Sequence, residues 1–217
     1  MAQAAPSKGA LIDFPARAAK ARVEGVAIID FDATAADLRA LQAQGIVGAA
    51  FNPTFHGVDY YKDCAPLVRR LADAGMFVQV QTEHDQLLHF VSLLEGIPVR
   101  VLIDHSGRPT VARGVNQPAF QALLKLADTD RVSVKLSGYA KFSQQPYPFA
   151  DTRPFVDALV DAFTLDNCMW ASDWPFLRAT ERQDYGPLVA LAVELFPDAE
   201  DRAKLFSGTS KRLFGFM

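Results

Sequence analysis

The sequence predicts an α/β protein built as a parallel (β/α) barrel, and two observations carry that reading. Short apolar strands alternate with helical segments six times, with no long linker and no charge block between them. Alternation of this kind implies parallel strands joined by right-handed crossovers. Within single strands, one face is apolar and the other partly polar: Val132, Val134 and Leu136 oppose Ser133, Lys135 and Ser137, and Val78 and Val80 oppose Gln79 and Gln81. An open doubly wound sheet covers both faces with apolar helices, so a polar second face would be costly there. A barrel gives that face a partly polar interior opening at the strand tips.

The elements follow in order. Residues 1–12 read as a leader of small residues, and Ala16–Arg22 as a short helix after Pro15. Val26–Phe31 is the first strand. Asp32 or Thr34 can cap a helix to Gln44, with Asp37 in its first turn and Gly45 as its stop. Ile46–Asn52 is the next strand, ended by Pro53, and Tyr60–Ala74 a helix stopped by Gly75. Met76–Thr82 and the helix Asp85–Glu95 follow, then Pro98–Asp104 and Gln117–Ala127, the latter capped by Asn116. Arg131–Ser137 precedes the helix Arg153–Phe163. Met169–Ser172 precedes Tyr185–Phe196, and Ala199–Phe206 and Thr209–Phe214 close the chain.

Composition narrows the function. The 217 residues suit one domain, residues 1–217, with a sizeable core. A net charge of −3 and no Lys/Arg run speak against a nucleic-acid partner. No apolar stretch approaches the roughly 20 residues of a membrane helix, and MAQAAPSKGA lacks the apolar core of a signal peptide. Cys64 and Cys168 form no CxxC pattern and read as reduced core residues of a cytoplasmic protein.

By alternation, the strand tips bring Asn52, Gln81, His105, Ser137 and Asp173 to one mouth, the C-terminal end where barrel chemistry sits. In this reading His105 shares the face of Val101 and Ile103, and Asp30 that of Ile28. Asp173, among Trp170, Trp174 and Phe176, is expected to be partly desolvated, which favours its protonated form. It suits a general base toward water or a metal ligand. His105 is either a structural hydrogen-bonder or a site residue, and imidazole is the side chain most readily poised near neutral pH. Lys135 is buried by pattern and needs a carboxylate partner or else a depressed pKa, as an interior ion pair or a catalytic amine. Tyr139 and Lys141 could reach an anionic substrate from the loop after their strand. Of four histidines, none forms HxH or HExxH. His84, His105 and Asp173 would make at most a poor zinc set, so no cofactor is expected.

The strings VAIIDFDATAADLRALQAQGIVGAAFNP, VLIDHSGRP, VSVKLSGYAKFS and MWASDWPF, in this order, resemble the amidohydrolase-2 family of TIM-barrel hydrolases from about residue 22 onward. The likeness is nearest to the branch of 2-pyrone-4,6-dicarboxylate lactonases. That resemblance implies a hydrolase acting on a carboxylated lactone or related ester or amide, in aromatic-compound catabolism. In the family the Asp of SDWP, here Asp173, is an acid/base or metal ligand, and the His of the DHSGRP block, here His105, lies in the site. Members of the lactonase branch work without a metal, with polar and cationic side chains holding the substrate. Asn52, Gln81, Ser137, Tyr139 and Lys141 are the candidates for that role. Decarboxylase-like relatives use zinc and a further strand-end His, where this chain has Gln79-Val80-Gln81. The family also opens with an HxH strand and a second strand before the unit that starts here at Val26, so six of eight strand–helix units are expected. Ala50 stands where an Arg is frequent, and Phe176 where His is frequent. An incomplete barrel could start further upstream, close into a smaller barrel, or pair as a homodimer across its open edges. Two rival readings follow: a catalytically silent barrel remnant with a binding or subunit role, and a zinc-dependent decarboxylase or amidohydrolase.

Overall fold

The structure, a computed structural model, describes residues 24–177 and 181–216. Six strands form one parallel sheet: β1 (Gly25–Ala27), β2 (Ile46–Phe51), β3 (Phe77–Val80), β4 (Arg100–Ile103), β5 (Val132–Leu136) and β6 (Cys168–Trp170). Each strand pairs with its neighbour in sequence, so the order is β1-β2-β3-β4-β5-β6 with no reversal. A doubly wound sheet reverses its strand order and so places helices on both faces. A sheet that never reverses, wound by right-handed crossovers, keeps its helices on one face and turns the other inward. The barrel expectation therefore holds in its incomplete form. Among the described residues the six strands do not close into a smaller barrel: β1 and β6 each have one neighbour there, and the sheet is open between them.

Apart from a single α-helical turn at Pro53–His56, the α-helices of the described residues are α1 (Ala35–Gln42), α2 (Ala65–Asp73), α3 (Val91–Gly96), α4 (Pro118–Lys125), α5 (Arg153–Phe163), α6 (Tyr185–Leu195), α7 (Ala199–Ala203) and α8 (Thr209–Phe214). The start of α1 follows the predicted chemistry. The Thr34 side chain accepts from the Asp37 backbone N–H while the Asp37 carboxylate accepts from that of Thr34, a reciprocal cap. Four expectations are corrected. The helix expected over Tyr60–Ala74 breaks, because Pro66 has no N–H to give and fits only the first turn of a new helix. The segment Asp85–Glu95 likewise splits into a tight turn, Gln86–His89, and α3. Asn116 does not cap α4. Gln117 takes the cap position, and its side-chain amide ties the loop back to Thr110 and Gly114 instead. The first strand stops at Ala27, which leaves Ile28 75% exposed and Asp30 outside the sheet. The short helix expected at Ala16–Arg22 lies outside the described residues.

Two apolar clusters lie on the two faces of the sheet. Val78, Val80, Val101, Ile103, Val132, Val134 and Leu136 pack outward against Leu67, Leu71, Leu123 and Leu159 of the helices. Phe77, Leu102 and Met169 point inward and meet Leu213 and Phe214 of α8, which covers the floor. Gly48 belongs to this layer: a Cβ there would come within 2.7 Å of the Phe77 ring, so the ring fills the space a side chain would need. Above this apolar floor the inward face turns polar, and there the site begins. No helix among the described residues is long and apolar enough to cross a membrane.

Candidate active site

The lowest polar layer is made by three inward side chains. Lys135 Nζ of β5 stands 3.0 Å from Asp104 Oδ1 and donates to Gln79 Oε1 of β3 at 2.9 Å. Gln79 Nε2 donates to Asp104 Oδ2 at 3.1 Å. Of the two solutions the pattern allowed for Lys135, the structure shows the carboxylate partner, Asp104 at the tip of β4.

His105 sits directly above. Val101 and Ile103 face the helices, and the inward residues of β4 are Leu102 and, by continuation, Asp104. Strict alternation would therefore send His105 outward, and the expectation that it shares a site-facing side with Val101 and Ile103 is corrected. The ring reaches the mouth because the backbone turns left-handed at His105, Ser106, Gly107 and Arg108, with φ of 49°, 56°, 71° and 43°. Gly138 lies against the ring, and at φ 65° a Cβ there would come within 2.7 Å of His105 Cβ, Cγ and Nδ1. His105 Nδ1 meets Ser137 Oγ at 3.1 Å, and Nε2 meets Asp173 Oδ1 at 3.3 Å. Nε2 also stands 3.5 Å from Asp104 Oδ2.

Burial holds the His105 imidazole below its ordinary value of 6.5; the Asp104 and Asp173 carboxylates pull the other way, and Lys135 and Lys141 reinforce burial. The ring is thus neutral near pH 7 and carries one N–H. Assigning that proton to Nε2 lets it donate toward the carboxylates while Nδ1 accepts from the Ser137 hydroxyl.

Asp173 follows β6 and is itself left-handed, φ 61°. The expected aromatic enclosure is not what surrounds it, since Trp174 is 72% exposed. Its neighbours are polar: Oδ1 faces His105, and Oδ2 faces Lys141 Nζ at 3.1 Å. Lys141 also donates to the Leu177 carbonyl at 2.7 Å, which fixes the loop beyond Asp173.

These groups open into a cleft of about 440 Å³ lined by Asn52, Gln81, His105, Lys141 and Asp173, together with Thr54, Glu83 and Arg108. Asn52, Thr54 and Gln81 form one hydrogen-bonded wall, Gln81 donating to Thr54 and Thr54 to Asn52. Arg108 pairs with Glu83 at 2.8 Å. Of the seven residues proposed from sequence, five line the cleft. Ser137 stands behind His105. Tyr139 is placed elsewhere: it lies in the helix-side core beside Phe142, where burial pushes its phenol far up and keeps it from a substrate. Asp104, Glu83, Arg108 and Thr54 were missed. The Arg of the DHSGRP string was in plain view, but its direction depends on the left-handed turn before it.

The donor chemistry does not fit a zinc ion. Among the described residues no group of three or more His, Cys, Asp or Glu side chains could hold a metal. His84 is exposed and bonded to Thr110 Oγ1 at 2.8 Å, and the two carboxylates beside His105 each face a lysine.

A family model described as amidohydrolase matches residues 9–216 of the chain. A 4-sulfomuconolactone hydrolase of Rhizobium radiobacter is 32% identical over 192 residues, covering 84% of the chain, and the chain spans 62% of that relative's length. A solved structure from Pseudomonas putida, described as a 2-pyrone-4,6-dicarboxylic acid hydrolase, superposes with a TM-score of 0.78 at 29% identity, over 89% of this chain and 72% of the other. An amidohydrolase of Burkholderia multivorans with bound zinc shares the fold, with a TM-score of 0.76 at 22% identity, over 91% of this chain and 76% of the other.

Proposed function

The chain belongs to the amidohydrolase family, and from that premise we propose that it hydrolyses a lactone carrying an acid group, with Asp173 as general base toward water. One observation carries the reading: the Asp173 carboxylate faces the cleft between a neutral imidazole at 3.3 Å and an ammonium at 3.1 Å. A base, a hydrogen-bond donor and a cation then meet where a carbonyl and a water could be held. Two relatives named for hydrolysis of a sulfonated lactone and of a pyrone dicarboxylic acid support the same class.

Water adds to the lactone carbonyl carbon, and Asp173 takes its proton. A protonated carboxyl is a weaker acceptor, so the His105 Nε2–H turns to the developing oxyanion, and Ser137 holds the ring from behind. Collapse breaks the ring C–O bond, and Asp173 returns the proton to the leaving oxygen. The product is an open-chain acid with a free hydroxyl or enol. Lys141 and Arg108 are the cations available to the substrate's acid group, and the wall of Asn52, Thr54 and Gln81 supplies neutral hydrogen bonds.

The test is an assay of the purified chain and its Asp173→Asn variant on a panel of carboxylated and sulfonated lactones. Loss of a general base lowers the rate by about 10²- to 10⁴-fold. Equal rates in both proteins would remove Asp173 from the mechanism.

A further inference from the structure

Lys135 has no part in the chemistry above, although it is the most conspicuous inward cation of the sheet. Lys135 is not among the residues lining the cleft; its ammonium is held by Asp104 Oδ1 and Gln79 Oε1. What it holds is a competitor. His105 has one N–H, at Nε2, and two carboxylates stand within reach of it: Asp173 Oδ1 at 3.3 Å and Asp104 Oδ2 at 3.5 Å. Only the first of these lines the cleft. If the imidazole pairs with Asp104, the proton points into the floor, and Asp173 loses the partner that orients it.

We propose that Lys135, together with Gln79, is a positioning residue: it keeps the Asp104 carboxylate engaged below the site and so leaves the His105 Nε2–H to Asp173. The role rests on the reading of Asp173 and His105 as the reacting pair. Both oxygens of Asp104 are engaged, Oδ1 by the charge of the Lys135 ammonium in an ion pair at 3.0 Å that lacks hydrogen-bond geometry, and Oδ2 by a hydrogen bond from the Gln79 amide. A carboxylate occupied in this way is a poorer acceptor for a third donor. The effect is also one of charge. The groups facing His105 are Asp104 of its own segment, Lys135 of β5, Lys141 after β5 and Asp173 after β6, two of each sign, with Ser137 and Gly138 neutral. The charges balance, and burial then keeps the ring neutral. Removing Lys135 alone leaves two carboxylates against one ammonium.

The experiment reads the titration of His105 by NMR of ring-labelled histidine. His56, His84 and His89 are exposed, and the buried His105 is assigned by its loss in His105→Gln. In Lys135→Met the His105 midpoint is expected to rise by about one pH unit or more, a tenfold gain in proton affinity, since a newly unopposed carboxylate within about 4–6 Å shifts a neighbour by that amount. Lys135→Arg restores the cation and is expected to keep the midpoint near that of the parent protein, which a purely structural loss of fit would not do. A folded Lys135→Met protein with an unchanged midpoint overturns the proposal. If Lys135→Met does not fold, Asp104→Asn decides: it removes the competitor and leaves the cation, so the midpoint is expected to fall, and an unchanged or raised midpoint overturns the proposal. The readout needs no substrate, so it fails or succeeds apart from the lactone assay.

Discussion

Replacing Gly138 by alanine separates the two costs that shape the mouth of the site. Gly138 follows β5 at φ 65°, and a Cβ there would meet three atoms of His105 at 2.7 Å. An L-residue in the left-handed region costs about 1–2 kcal/mol, and forcing a methyl into packed surroundings costs about 1–3 kcal/mol more. Gly75, after α2, provides the control. Its φ is 69°, nearly the same, but nothing lies within 4 Å of the position its Cβ would take. Gly75→Ala therefore carries only the backbone cost. Urea unfolding of the two variants should differ by about 1–3 kcal/mol, with Gly138→Ala the less stable. The same methyl drives the ring away from Ser137 or Asp173, so the NMR signal of His105 should move in Gly138→Ala and stay in place in Gly75→Ala. Equal destabilisation by the two alanines, with an unmoved His105 signal, would refute the claim that the ring is seated on Gly138.

Three further outcomes are expected. The His105 midpoint is held below its unfolded value of 6.5, so between the two values the unfolded chain binds more protons than the folded one. The contribution is full above about 6.5 and is lost as pH falls through the folded value; unfolding at pH 7 and pH 5 should show a larger loss in the parent protein than in His105→Gln. Cys64 and Cys168 are buried, and burial pushes their thiols up to about 11 and about 12. Neither should react with a disulfide reagent until denaturant is added, and fast labelling of the folded chain would contradict their placement. Arg108→Gln, in an active preparation, should raise KM for an acidic lactone about tenfold or more with a smaller change in kcat, because a charged hydrogen bond is lost from binding; an unchanged KM would release Arg108 from the substrate.

The layers of this protein were legible where the chain stays in the ladder. A period of two placed Val132, Val134 and Leu136 on one side and Ser133 and Lys135 on the other, and the structure keeps them so. The same pattern offered Lys135 a carboxylate partner as one of two solutions. It did not identify Asp104, because a partner on the neighbouring strand is set by register, and register is a property of pairing and not of either strand alone. Pro66 was a visible helix start inside a segment read as one continuous helix, so that error lay in weighting apolar spacing above a missing N–H. Tyr139 was assigned to the mouth because it follows a strand tip. The turn after Gly138 instead carries Lys141 toward Asp173 and puts the phenol in the helix-side core.

Alternation misplaces His105, although the ring does reach the mouth, and the reason is physical. His105 and Asp173 are both left-handed, at φ 49° and 61°, as are Ser106 and Arg108 beside the first. For residues with a Cβ each such position costs on the order of 1–3 kcal/mol and persists only when its surroundings over-determine it. The surroundings of the first turn do: Gly107 N–H donates to Asp104 O, Arg108 N–H to His105 O and His84 N–H to Arg108 O, while the fully buried Ser106 hydroxyl faces Lys135 O. At His105 the left-handed turn reverses the direction that alternation gives the side chain, whereas Asp173 keeps the inward side of Met169. At β4 that reversal brings an imidazole which should face the helices into the mouth, over an inward carboxylate already claimed by Lys135. The two left-handed tips meet at the His105–Asp173 contact. One of them is held there by bonds to the loop after β3 and to β5, partners that alternation within β4 alone could not reveal.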